Sequence, residues 1–376
     1  MQLIQGLFSG GADRVQTVAA FVAVLSILVF VHELGHYLAA RWRGVYVEAF
    51  SIGFGRPLAS WTDRRGTAWK IGWLPLGGYV KLHGQERPQD VSDEVRASWK
   101  PGQTYHDKSV GSRAIIIAAG PIANFALAMV VFAGLFMTVG KPVASSLISS
   151  VVPGSAAAEA GLLPGDRVVA IDGAAVSRFE DIQRVVGNRP GAQMKLVITR
   201  AGENQVIDVT IGIRPKGAQP PGMLGIGGSQ LELEQMSPPM AVLAGAEQCW
   251  DITTQTLSGI SEMLTGRRGT DDLGGPLRIA QLSGQAASMG LVPLISLVGL
   301  LSVSLGLMNL FPIPVLDGGH LLFCAAEALL GRPVRRQAME YGFRAGFALI
   351  ISLGVFVTWN DLSHLGVMRW VSGLIG

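Results

Sequence analysis

Residues 17–40 read TVAAFVAVLSILVFVHELGHYLAA, and this stretch decides what kind of molecule the chain makes. It is long enough to cross a bilayer, which takes about 20 mainly apolar residues. Yet His32, Glu33 and His36 interrupt its C-terminal half. A signal peptide carries no such cluster. The apolar core from Val18 to Val31 runs straight into HELGH, so a retained membrane helix is expected. Three further stretches have the length to span: Ala114–Val139 and Leu291–Leu316, both without a charge, and Tyr341–Trp359, with Arg344 near its start.

Composition points the same way. Of 376 residues 49% are hydrophobic and 15% charged, against roughly 25% charged in an average soluble domain; mean hydropathy is +0.39. A disordered chain, a coiled coil and most soluble enzymes are excluded. The net charge of +3 is not gathered in stripes, so no nucleic-acid partner is expected. The basic residues follow topology instead. Eleven Lys and Arg lie between Arg41 and Lys108, and Arg332, Arg335 and Arg336 precede the fourth stretch. The N-terminal tail has Arg14 alone and the C-terminal end Arg369 alone. The positive-inside bias then puts both basic loops in the cytoplasm, with the termini and the long 141–290 segment outside. Cys249 and Cys324 fall on opposite sides of the membrane in this topology and form no disulfide framework.

Val45–Phe54 and Trp69–Leu82 read as strands around the polar turn at residues 62–66. Their load of Phe50, Ile52, Phe54, Ile71, Trp73 and Leu74 suits a hairpin that dips toward the bilayer while packed on protein. A surface hairpin is the alternative. Residues 83–112 read as a polar cytoplasmic loop. Val143–Arg214 forms a compact soluble α+β unit with a helix at Phe179–Val186 and a hairpin of Met194–Arg200 and Gln205–Ile213. Pro215–Gln235 reads as a Pro/Gly-rich linker. Met240–Leu264 spaces Leu243, Ala246, Trp250, Leu257, Ile260 and Leu264 as an amphipathic helix, expected on the outer membrane surface or against the soluble unit. The expected fold is therefore a multi-span α-helical membrane protein with four transmembrane helices, a membrane-associated β-hairpin and one α+β domain. Its segments are 1–140 (membrane core), 141–214 (soluble domain), 215–285 (linker and surface helix) and 286–376 (second part of the core).

His32-Glu33-Leu34-Gly35-His36 is an H-E-x-x-H on a helix, where positions i and i+4 share a face and two imidazoles can hold one metal ion. Glu33 is then placed as general base toward the attacking water. Ionisable residues inside a span are costly and point to function. A catalytic zinc wants a third protein ligand. His83, His106 and His364 lie in loops or near a terminus without a shared motif. The third stretch ends in NLFPIPVLDGGH, residues 309–320. It runs in the same direction as the first, so Asp317 can share a depth with His32 and His36. A carboxylate without a basic neighbour there needs a cation. His320, three residues on, remains a competing ligand. Two other functions compete with proteolysis. An inactive membrane-tethered scaffold would have no use for Glu33, and a metal transporter would show ligands on several helices and internal repeats.

Residues 160–173, AGLLPGDRVVAIDG, resemble a bacterial PDZ domain, which implies binding of peptide C-termini or extended segments by strand addition. HELGH, Gly120-Pro121-Ile122-Ala123-Asn124-Phe125 and NLFPIPVLDGGH, in that order, resemble the site-2 protease family of intramembrane zinc metalloproteases, and more narrowly its sigma-E-regulating bacterial branch. The resemblance implies His32, His36 and Asp317 as zinc ligands and Glu33 as catalytic base. It implies that Asn309 helps hold the substrate or the transition state, and that residues 45–82 are the membrane-associated β region. It further implies a bacterial inner-membrane protein whose PDZ-like domain faces outward and whose site lies toward the cytoplasm. The implied substrates are single-span membrane proteins, of anti-sigma-factor type or remnant signal peptides, already trimmed by another protease. Many relatives carry two tandem PDZ domains and this chain shows one, so gating inferred from the two-domain members does not transfer.

Overall fold

The computed structural model describes residues 11–86, 91–213, 222–228, 231–267, 269 and 274–364. The chain divides into two compact units, Met1–Gly134 with Pro239–Gly376, and Leu135–Pro238.

In the first unit, α1 (Gly11–Trp42) carries the apolar run and the HELGH cluster. It ends where Gly44 turns left-handed, at φ 71°, and Val45 N–H returns to the Ala40 carbonyl at 2.8 Å. Strands β1 (Val47–Thr62) and β2 (Ala68–Leu82) follow, β1 running eight residues beyond the expected Phe54. Each strand bends, and the pairing doubles up. Residues 47–52 pair with 78–82 on one side and with 68–71 on the other, while 57–62 pair with 68–72. The sheet thus has four arms in the order 57–62, 68–72, 47–52, 78–82. The 78–82 arm is an edge.

Buried Phe50 anchors this sheet on α1, its ring 4.4 Å from Trp69 and 5.9 Å from Tyr37; burial of one such ring contributes about 1.5–3 kcal/mol. The turn is held by Asp63, which accepts from Arg65 N, Thr67 N and Trp69 Nε1 at 2.8, 3.0 and 3.1 Å. Leu58, Trp61 and Trp73 stay exposed on the outer arms. Within the 83–112 loop a short helix α2 (Asp93–Ala97) forms, capped by Ser92.

Helix α3 (Val110–Thr138) contains Pro121. Four helices among the described residues are long and apolar enough to cross a membrane: α1, α3, α8 (Leu291–Asn309) and α10 (Arg336–His364). Val24 and Leu28 of α1 pack with Val298 of α8, and Leu127 of α3 adds to the cluster.

The third stretch stops seven residues earlier than the sequence suggests. Pro312 and Pro314 lack the N–H that a continuing helix needs, and each bars the preceding residue from helical geometry. The chain therefore crosses 310–316 as a tight loop, with Val315 at φ 143°, and starts a new helix, α9 (Asp317–Leu330). A methyl on Gly318 would overlap the Leu310 and Phe311 carbonyls, so only glycine lets α9 begin against that loop.

Between α3 and α8 in sequence lie α6 (Pro238–Leu264) and α7 (Pro276–Met289); the sequence pattern gave no sign of the second. Helix α6 buries a small-residue face: Ala241, Ala244, Gly245, Cys249 and Ile252. A methyl on Gly245 would stand 2.9 Å from the Met129 carbonyl oxygen, so α6 packs closely on α3. Leu243, Trp250, Leu257 and Leu264, expected as the anchoring stripe, point away from the protein. The start of α7 is held by buried Asp361 of α10, which accepts from Gly275 N at 3.0 Å and Arg278 N at 3.3 Å.

The second unit has a four-stranded sheet in the order β6 (Ala174–Ala175), β5 (Arg167–Ile171), β7 (Gln193–Arg200), β8 (Glu203–Thr210). Helices α4 (Ala156–Glu159) and α5 (Phe179–Gly187) complete it. Its core is Ile148, Leu162, Val168, Ile171, Ile182, Met194, Leu196 and Ile198. Within the segment expected as a linker, the described residues 222–228 and 231–234 are built into this unit. β10 (Gly222–Met223) pairs with β9 (Gly212–Ile213), β11 (Ile226–Gly227) with β4 (Ser150–Val151), and β12 (Leu231–Glu234) with β3 (Lys141–Ala144). Its glycines let the backbone press close: a methyl on Gly228 would overlap the Phe179 ring.

Asp166 explains why the Pro-Gly-Asp turn is built as it is. It is 1% exposed, accepts from Leu163 N at 2.8 Å, and takes both Nε and Nη2 of Arg200 at 2.7 Å. Burial pushes its carboxyl up, but the Arg200 guanidinium and the Leu163 N–H outweigh that and hold it below the usual carboxylate range.

Candidate active site

One helical turn separates His32 from His36 on α1, and their Nε2 atoms stand 3.2 Å apart. The loop after α8 delivers Asp317, whose Oδ2 lies 3.1 Å from His32 Nε2 and 3.4 Å from His36 Nε2. His36 Nδ1 is 2.9 Å from the Ile116 carbonyl oxygen, which can only accept. Nδ1 therefore holds a proton, and in the neutral imidazole Nε2 is then the lone-pair atom, turned toward Asp317. Asp317 Oδ2 is itself a buried oxygen without a hydrogen bond. Lone pairs facing one another this closely repel unless a cation sits among them. Ligand atoms about 2.0–2.2 Å from a tetrahedral zinc stand roughly 3.3–3.5 Å apart, close to the separations here. His32, His36 and Asp317 can hold a metal ion.

The close crossing of α1 and α3 makes this possible. A methyl on Gly35 would overlap the Ala119 carbonyl, and one on Gly120 would overlap His36 Nε2 and come within 2.9 Å of His32 Cε1. Both glycines sit in motifs the sequence singles out, yet their role is a through-space contact that no spacing along the chain reveals. The same holds for Asn124, fully buried, whose side-chain amide faces His32 Nδ1 at 3.3 Å.

A cavity of about 700 Å³ opens onto the cluster, lined by His32, Glu33, His36, Tyr79, Asn309 and Asp317 among others. Glu33 lies against the edge arm of the sheet, its Cγ 3.0 Å from where a methyl on Gly78 would be. Asn309, the last residue of α8, reaches the same cavity. His320 lines it too, but packs against Phe343 with ring centroids 5.2 Å apart and stands outside the three-residue donor group. The pair Arg113–Glu327, at 2.9 Å, ties α3 to α9 on the cavity wall. His83 is occupied elsewhere, between Glu48 Oε1 at 2.8 Å and Lys100 N at 2.9 Å. His106 pairs with Asp107 at 3.0 Å, and His364 closes α10.

The model of peptidase family M50 matches residues 20–353. The chain belongs to this family. A Rhizobium meliloti protein bearing a zinc metalloprotease name is 45% identical over 94% of this chain and 98% of its own. The metalloprotease MmpA of Caulobacter vibrioides is 37% identical over 93% and 96%. The regulator of sigma-E protease RseP of Salmonella typhimurium is 30% identical over 92% and 98%. Among solved structures, the PDZ domain of an SdrC-like protein from Listeria monocytogenes covers 23% of this chain and 87% of its own at 21% identity, with a TM-score of 0.20. This M50 peptidase is a zinc metalloprotease, and four of its described helices are long and apolar enough to cross a membrane.

Proposed function

We propose that this peptidase cuts transmembrane segments of single-span membrane proteins, of anti-sigma-factor type or remnant signal peptides, within regulated intramembrane proteolysis. The observation that carries this is the placement of a metal-donor cluster and a carboxylate in one cavity among apolar spanning-length helices, beside an open sheet edge. His32, His36 and Asp317 hold zinc. When bound there, the ion supplies Lewis acidity toward the scissile carbonyl and acidifies water.

Glu33 takes the proton of the attacking water and passes it to the leaving amine. The Asn309 amide donates to the developing oxyanion, a role worth about 3–4 kcal/mol where one such donor has been removed from another protease. A helical substrate has its carbonyls locked in hydrogen bonds. The 78–82 arm offers strand pairing in exchange, so the segment can unwind without leaving its backbone unsatisfied. The exposed Leu58, Trp61 and Trp73 suit a sheet that dips into lipid. The two Lys/Arg-rich loops, at 41–108 and 332–336, support an orientation with the termini and the PDZ-like domain on the extracytoplasmic side and the site toward the cytoplasm. The PDZ-like domain screens peptide C-termini or extended segments of substrates already trimmed outside.

The test is cleavage of a tagged single-span substrate by purified protein, comparing wild type, Glu33→Gln, and wild type with a zinc chelator. Only untreated wild type should cut. Cleavage by Glu33→Gln at the wild-type rate would refute the assigned base.

A further inference from the structure

The two imidazoles are braced differently. The backbone carbonyl of Ile116 fixes the tautomer of His36. His32 Nδ1 meets a side chain instead, the amide of Asn124, which is fully buried. With Nδ2 at 3.3 Å from Nδ1, the amide would donate to His32 and force the imidazole proton onto Nε2, the atom facing Asp317. That tautomer cannot ligate a metal through Nε2. Asn124 Oδ1 is buried and has no hydrogen-bond partner. Oxygen and nitrogen of an amide exchange places by a half-turn about χ2, and here the turn breaks no bond that Oδ1 makes.

The backbone around the amide is independently fixed. The Asn124 carbonyl accepts from buried Ser302 Oγ of α8 at 2.8 Å. The side chain is thus held at His32 by a contact that does not use it.

We propose that Asn124 is a positioning residue for the metal site: its Oδ1 accepts the Nδ1 proton of His32 and keeps His32 Nε2 bare toward the metal, as the Ile116 carbonyl does for His36. This rests on the assignment of His32 as a ligand. An acceptor behind a metal-bound imidazole fixes ring and tautomer, and its loss typically lowers metal affinity 10–100-fold.

The experiment measures zinc affinity by competition with a chelating dye on the purified full-length protein, with thermal unfolding of the metal-free form alongside. Asn124→Leu keeps the shape but offers no acceptor; Asn124→Asp offers only acceptors. Both leave the backbone carbonyl for Ser302. Zinc affinity should fall roughly 10–100-fold in Asn124→Leu and stay within about threefold of wild type in Asn124→Asp. Wild-type affinity in Asn124→Leu would overturn the proposal. So would a drop in Asn124→Asp as large as that in Asn124→Leu, because it would show that the NH2 group of the amide, not its oxygen, serves the site. If the leucine variant does not fold, Asn124→Ala, which also lacks an acceptor and leaves the backbone carbonyl for Ser302, takes its place with the same expected fall and the same overturning result. His32→Ala serves as control: should it bind zinc like wild type, the ligand assignment itself fails, a result separable from a fault in the Asn124 proposal.

Discussion

Gly120→Ala adds one methyl where α3 crosses α1, and its consequence can be worked from the distances. The new Cβ would come 2.9 Å from His32 Cε1, whereas ordinary contact begins at 3.4 Å, so that ring must retreat by about 0.5 Å. His36, which the methyl overlaps at Nε2, must retreat further. Metal–ligand distances tolerate about 0.2 Å. Both rings are thus pushed beyond what one ion can bridge, and misplacement on the scale of 1 Å costs around 100-fold in turnover. Helix propensity runs the other way. Alanine in a helix interior is favoured over glycine by about 0.5–1 kcal/mol, so the fold should survive while the site fails. Zinc per chain, measured by atomic spectrometry on a protein with an unchanged helical circular dichroism spectrum, should fall well below one. Cleavage should fall about 100-fold with it. Wild-type zinc content in Gly120→Ala would refute the close-crossing account of the site.

Further outcomes follow from single contacts. Asp361→Ala leaves the Gly275 and Arg278 N–H groups without their acceptor; it should cost about 0.5–2 kcal/mol and show as faster hydrogen exchange across residues 275–279, with exchange in β7 unchanged. The Asp166 carboxyl is held below its unfolded value, so the stability it contributes is full above that value, near pH 4, and is lost as pH falls through the lower folded value. Unfolding of the 135–238 unit, followed by hydrogen exchange against pH, should show this acid slope in wild type and lose it in Asp166→Asn. Phe50→Ala removes the ring that joins the sheet to α1 and should cost about 3–5 kcal/mol, read as a lowered thermal midpoint.

Much of this was legible in the sequence, and the exceptions share a cause. Spanning helices announce themselves by length and apolar composition, and the H-E-x-x-H by spacing on one helix. Leu310–Leu316 is as apolar as the helix before it, so composition carried the third stretch too far; the prolines at 312 and 314 were the signal that ended it. Helix α6 carries two faces: the expected stripe of large apolar residues is exposed, while its contact with α3 runs through Ala and Gly, which no hydrophobic stripe marks. Glycine and proline between 215 and 235 read as a linker, yet Gly222, Gly227 and Gly228 serve close packing within the second unit. At the site, Gly35, Gly120 and Asn124 act across the α1–α3 crossing, and a contact between residues some 80–90 apart leaves no periodicity to find.

The most direct measurement is mass-spectrometric mapping of where the purified, zinc-loaded peptidase cuts a tagged single-span substrate, with Glu33→Gln as the control. Cuts inside the substrate's apolar span, absent from the control, are the predicted result. Cuts confined to the water-exposed flanks, or the same cuts from Glu33→Gln, would contradict an intramembrane site with Glu33 as its base.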